Sequence, residues 1–98
     1  MAKARTGVIT VTTAGTAVQG PQYPKAANDK LVWFVLKADP ANTQNVFFGD
    51  NGSADITTSD GFPLAAGEAM AVQVNSLNEL WFDATVDGEK IRWVRTRD

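Results

Sequence analysis

The run "LVWFVL", Leu31 to Leu36, places six apolar residues in succession between Lys30 and Lys37. In an extended chain Leu31, Trp33 and Val35 point one way and Val32, Phe34 and Leu36 point the other, so both faces are apolar. One face belongs to a core and the other needs a cover. Read for periodicity, the chain shows strands and almost no helix. "GVITVTT" and "TAVQ" are rich in β-branched residues and flank Ala14-Gly15, which predicts a first hairpin or a bent edge strand. "QNVFFGD" and "ADITT" lie on either side of Asn51-Gly52, and "EAMAVQV" and "NELWFDATV" on either side of Asn75 to Leu77. Asp87-Gly88, between "LWFDATV" and "EKIRWVRTR", is the strongest short-range hairpin signal in the chain. Pro24, Pro40 and Pro63 fall between these runs, where they suit connections rather than central strands.

About seven or eight short strands, with turns every eight to twelve residues or so, predict an all-β fold. The expected architecture is a compact antiparallel β-sandwich or jelly-roll-like barrel. Ninety-eight residues suffice for one small core. The domain reading is a flexible N-terminal arm over 1–7 followed by a single sandwich domain over 8–98. "MAKARTG" carries Lys3 and Arg5 with no apolar segment behind it, so neither a secretory signal nor a lipidation motif is expected, and a cytoplasmic site of synthesis is. The apolar runs are too short to span a bilayer as helices, which predicts no membrane partner.

Chemistry is constrained by what is missing. The sequence holds no histidine and no cysteine, so it offers no imidazole base, no thiol nucleophile and no thiolate metal site. Ser53, Ser59 and Ser76 sit in turn-like sequence without a nucleophile-elbow context, and read as capping or turn residues. Two carboxylates about 5 to 9 Å apart can hydrolyse a glycosidic bond, with Asp83 or Glu89 as candidates, but their spacing does not select that pairing. "DNGSADITTSDG" fails the EF-hand pattern, because counting from Asp50 puts Gly52 and Ala54 at ligand positions. A looser calcium site from Asp50, Asn51, Asp55 and Asp60 is the alternative to plain turn chemistry, and the turn reading is preferred. No glycine-rich turn leads into a helix to hold phosphate. Neither an enzymatic activity nor a cofactor is expected.

Aromatic residues carry more information. Phe47-Phe48 and Trp81-Phe82 are adjacent pairs, so one member of each faces away from the other in a strand. Either a two-layer fold buries both or a neighbouring subunit does. An exposed aromatic platform for sugar rings is a further alternative. The C-terminal "KIRWVRTR" interleaves Lys90, Arg92, Arg95 and Arg97 with Trp93. Because the chain as a whole has a net charge of -2, these residues read as edge-strand protection or docking and not as a nucleic-acid interface.

In order along the chain, "VTTAGTAVQ", "KADPANTQNVFFGD", "GFPLAAGEAMAVQV" and "NELWFDATVDGEKIRW" resemble small all-β proteins of tailed-bacteriophage head and tail modules. The resemblance spans about residues 7 to 94. Its pattern corresponds here to Asn42, Thr43, Val46, Gly49 and Asp50, then Gly61, Pro63, Leu64, Gly67 and Glu68, then Asn75 or Asn78 and Leu80. Trp33, Trp81 and Trp93 depart from it in being heavier than the aliphatic residues expected there. What the resemblance implies is a non-enzymatic virion component, most simply a capsid decoration protein that binds between capsid subunits and stabilises the head. A tail, neck or fibre component and a small glycan-binding module are the alternatives. Implied partners are the chain itself, as a homotrimer, and the major capsid protein or another virion protein. The implied location is the virion, assembled in the host cytoplasm. The contact residues expected on this reading are Leu31, Trp33, Phe34, Val35, Phe48, Trp81, Trp93, Arg95 and Arg97.

Overall fold

A computed structural model describes residues 5–21, 31–49 and 61–95. Eight strands are found among them: β1 (Arg5–Val11), β2 (Val18–Gln19), β3 (Val32–Ala38), β4 (Val46–Gly49), β5 (Phe62–Leu64), β6 (Ala69–Val74), β7 (Trp81–Ala84) and β8 (Glu89–Arg95). A short 3-10 turn, Leu77–Glu79, precedes β7, and the Ser76 hydroxyl caps it by accepting from the Asn78 amide. The strands form two four-stranded sheets, β1-β8-β3-β6 and β2-β7-β4-β5. All pairings are antiparallel.

Of the consecutive strands, only β4 and β5 are neighbours in one sheet. Every other connection passes from one sheet to the other, which is jelly-roll connectivity and confirms the expected all-β sandwich. The physical cause lies in the alternation of side chains. In β3, Val32, Phe34, Leu36 and Ala38 are buried while Trp33 and Lys37 are exposed. β8 alternates in the same way, with Ile91 and Trp93 inward and Lys90 and Arg92 outward. From the second sheet Val46, Phe48, Leu64, Phe82 and Ala84 complete the core, and Leu77 and Leu80 close one end. Phe34 meets Trp93 edge to face at 6.0 Å and Phe48 lies 6.3 Å from Phe82, so aromatic rings tie neighbouring strands within each sheet.

Four local expectations need correction. Of the two readings of Ala14-Gly15 the hairpin fails, because β1 pairs with β8 and β2 with β7, and the chain instead bends from the edge of one sheet to the edge of the other. "EAMAVQV" and "NELWFDATV" likewise part company, β6 joining the first sheet and β7 the second. Asp87-Gly88, the strongest hairpin signal, is a crossing between the sheets: β7 pairs with β2 and β4, and β8 with β1 and β3. Gly88 supplies the left-handed conformation that such a turn demands (φ +84°), and its amide donates to Val11 O at 2.7 Å. Pro63 lies inside β5, yet β5 is a three-residue edge strand, where a missing donor is tolerated.

The two misread turns brace each other. The Ala14 amide donates to Asp87 Oδ1 (2.7 Å), and the Gly15 amide donates to both Asp83 Oδ1 (3.0 Å) and Ala84 O (3.2 Å). At the same end of the strands, the 39–44 loop is fastened to the start of β8. Asn42 exchanges bonds with the Lys90 backbone (2.8 and 2.9 Å), and the Thr43 hydroxyl and Gln44 amide donate to Glu89 Oε1 at 2.9 Å. Of the arm expected over 1–7, Thr6 and Gly7 pair with Val94 and Trp93 in β1, and residues 1–4 lie outside the described residues.

Candidate docking face

The outward side of the first sheet is assembled by register. Ala71, Val35, Val94 and Thr6 form one row across β6, β3, β8 and β1, and Ala69, Lys37, Arg92 and Val8 form the next. Trp33 stands beside Gln73 at the start of β3, with Leu31 just before it. Trp33 is 48%, Leu31 53% and Val8 49% exposed, although each is large and apolar. An open groove of about 360 Å³ runs over this face, lined by Val8, Val35, Val94 and Trp93 among others. Its rim at the far end of β3 is cationic, with Lys37 and Arg92 lining it. Sheets of a soluble sandwich ordinarily turn polar residues outward, so a tryptophan, a leucine and three valines on one outer face mark a surface suited to a partner.

Arg92 is held in place from the loop side. Its Nε donates to Asp39 Oδ2 at 3.1 Å. The Ala41 amide, and after it the Arg92 charge, hold the Asp39 carboxyl below the usual carboxylate range against the opposing effect of burial.

The expected contact residues do not all lie together. Leu31, Trp33 and Val35 do share the outer face of the first sheet, Val35 being partly buried between its neighbours. Phe34 is fully buried, and Phe48 and Trp93 are each 8% exposed. Their place in the contact set is corrected, because a side chain already enclosed by its own subunit has almost no surface left to give a partner. Trp93 lines the groove, but its side chain belongs to the inward phase of β8. Trp81 lies on β7 in the opposite sheet, between Gln19 and Gly49, so it cannot share a surface with Trp33. Arg95 ends β8 in a half-buried position, and Arg97 lies outside the described residues. Arg92, read from the sequence as edge-strand protection or docking, lies on the inner strand β8 and joins this face, and Val8, Val94 and Lys37 complete it without having been expected there. Alternation from buried Ile9 and Val11 identifies Val8 as outward, a signal that "GVITV" contains.

The candidate catalytic carboxylates are committed to backbone. Asp83 is buried and accepts from the Gly15 and Ala84 amides, while Glu89 is buried and accepts from Thr43 and Gln44. Among the described residues no group of three or more acidic side chains is placed to hold a metal. The candidate calcium residues Asp50, Asn51, Asp55 and Asp60 lie outside the described residues, as do Ser53, Ser59 and "ADITT". The resemblance motifs find structural uses: Asn42 and Thr43 fasten the 39–44 loop, and Gly67 and Glu68 form the turn before β6, where Glu68 Oε1 accepts from the Ala65 amide at 2.7 Å.

No family model and no curated protein matches the chain. Among solved structures it is similar to a chain from the work described as "Bacillus endospore appendages form a novel family of disulfide-linked pili", with a TM-score of 0.56 and 18% sequence identity. The match covers 97% of this chain and 87% of that one, and at this identity it carries the fold alone. These 98 residues contain no cysteine, so a disulfide linkage has no counterpart within them. The chain is a small all-β jelly roll whose fold recurs in a pilus protein.

Proposed function

We propose that this chain is a non-enzymatic structural subunit of a tailed-phage virion, a capsid decoration protein that docks the outer face of its first sheet where capsid subunits meet. The observation that carries the reading is the apolar strip in which exposed Leu31, Trp33 and Val8 flank the partly buried Val35 and Val94, on a sheet face that a solitary domain would make polar. Each copy contributes a modest contact, and many symmetric copies on a closed shell make the total stabilisation large. The homotrimeric state that the resemblance implies suits local three-fold positions. Commitment of Asp83 and Glu89 to backbone amides agrees with a role that involves no chemistry.

A second reading, a tail, neck or fibre component, is favoured by the fold's recurrence in an appendage built as a pilus. Copy number separates the two. Quantitative mass spectrometry of purified particles is expected to find on the order of hundreds of copies for a shell protein, and about a dozen or fewer for a tail part. Absence from purified particles would end both readings.

A further inference from the structure

The four outer strands of this sandwich differ in how they are guarded against pairing with another chain. β2 has two residues, and β5 has three with Pro63 at its centre. β1 carries Gly7 within it. Among the described residues β6, "AMAVQV", is a six-residue edge with no charge, no proline and no glycine. Such an edge is a ready template for a further strand.

The direction of its free backbone groups follows from the ladder. The Ala38 amide donates to Glu68 O, and Ala38 O accepts from the Gly67 amide, both at 2.9 Å, so Ala38 turns its backbone toward the β6 side. Hydrogen bonding alternates along antiparallel strands, so Val32, Phe34 and Leu36 do the same toward Val74, Val72 and Met70. Ala71 and Gln73 therefore direct their amides and carbonyls away from β3.

We infer that β6 pairs antiparallel with β6 of a second copy, about a two-fold axis at Val72. In this register Val72 faces the second copy's Val72, Met70 faces Val74, and Ala71 exchanges hydrogen bonds with Gln73. Every cross-strand pair is uncharged, so the strand meets itself without the like-charge penalty that would oppose self-pairing. Val72 and Val74 present β-branched side chains that pack well against their own kind on one sheet face. A second groove of about 350 Å³, lined by Phe62, Pro63 and Met70 among others, lies beside the start of β6 and receives the second copy's Val74. Phe62 and Met70, 51% and 38% exposed, are thereby covered. This contact is separate from the outer-face docking proposed above, and it doubles whatever cluster that face forms.

The absence of cysteine makes the test clean. At the two-fold axis Val72 occupies a non-hydrogen-bonded pair with Cα atoms about 4.5 Å apart, inside the disulfide range of about 4.4 to 6.8 Å. Val72→Cys is expected to form a covalent dimer on mild oxidation, while Thr10→Cys on β1 does not. Ala71→Pro removes an outward amide without touching the β3 ladder, and is expected to halve the mass found by sedimentation equilibrium. Trp33→Lys on the outer face leaves that halving intact, which keeps the two contacts distinguishable. If Ala71→Pro loses its near-ultraviolet circular dichroism, the cysteine result alone decides. Cross-linking of Val72→Cys no greater than that of Thr10→Cys, or a parent chain that sediments as one copy at every concentration, overturns the inference.

Discussion

A methyl group added to Gly7 would lie 2.6 Å from the Trp93 ring, closer than any real side chain sits. Trp93 crosses over β1 at this point, and only the missing side chain of its cross-strand partner leaves room for the indole. Gly7→Ala is therefore expected to destabilise the fold by about 1 to 3 kcal/mol, as overpacking does, measured by urea denaturation. Phe34→Ala should cost about 3 to 5 kcal/mol, whereas Trp33→Lys, one residue earlier and facing out, should cost about 1 kcal/mol or less. That contrast was only half legible. The run "LVWFVL" gives the alternation but not which side is core, because both sides are apolar. The choice is made two residues later, where Lys37 and Ala38 continue the same phase outward and inward. Asp39 adds a pH dependence of known sign. Its folded pKa lies below the ordinary 3.8, so the stability it contributes is present above that value and is lost as the pH falls through the folded one. Acid titration of Asp39→Asn, followed by tryptophan fluorescence, should show a shallower loss of stability below about pH 4 than the parent.

Among elements, the crossing between β7 and β8 shows where local signals stop. Asp87-Gly88 asks for a tight turn and receives one, with Gly88 at φ +84°. What local chemistry cannot specify is whether the chain returns beside the strand it has left or crosses to the facing sheet. Here the inward side chains of both strands, Phe82 and Ala84 on one and Ile91 and Trp93 on the other, enclose one core from opposite sides. Pairing β7 directly with β8 would place them in a single sheet and leave that core without its second wall. Gly88→Ala is expected to cost about 1 to 2 kcal/mol because the left-handed backbone is retained by the Val11 contact, as read from the thermal midpoint. Strand positions were legible from β-branched and aromatic runs, and strand partners were not, since partners are chosen by burial over the whole chain. Pro63 illustrates the same limit: its type argued against a strand, and its place at a sheet edge removed the objection.

For the molecule as a whole, the two sheets enclose one another's inner faces and leave the two outer faces to differ. The outer face of the first sheet keeps Trp33, Leu31 and Val8 exposed beside the cations Lys37 and Arg92. Its existence was legible in an apolar run too greasy for one core. Its membership was not, because Val94, Lys37 and Arg92 join it only through the register of β3 with β8. The central claim is that this face is covered when the subunit does its work. Hydroxyl-radical footprinting of Trp33 and Leu31, in the dilute free protein and in purified particles, tests it most directly. The account predicts rapid modification of both residues in the free protein and strong protection in the particle, while Phe34 stays unreactive in each; equal reactivity of Trp33 in the two states would contradict it.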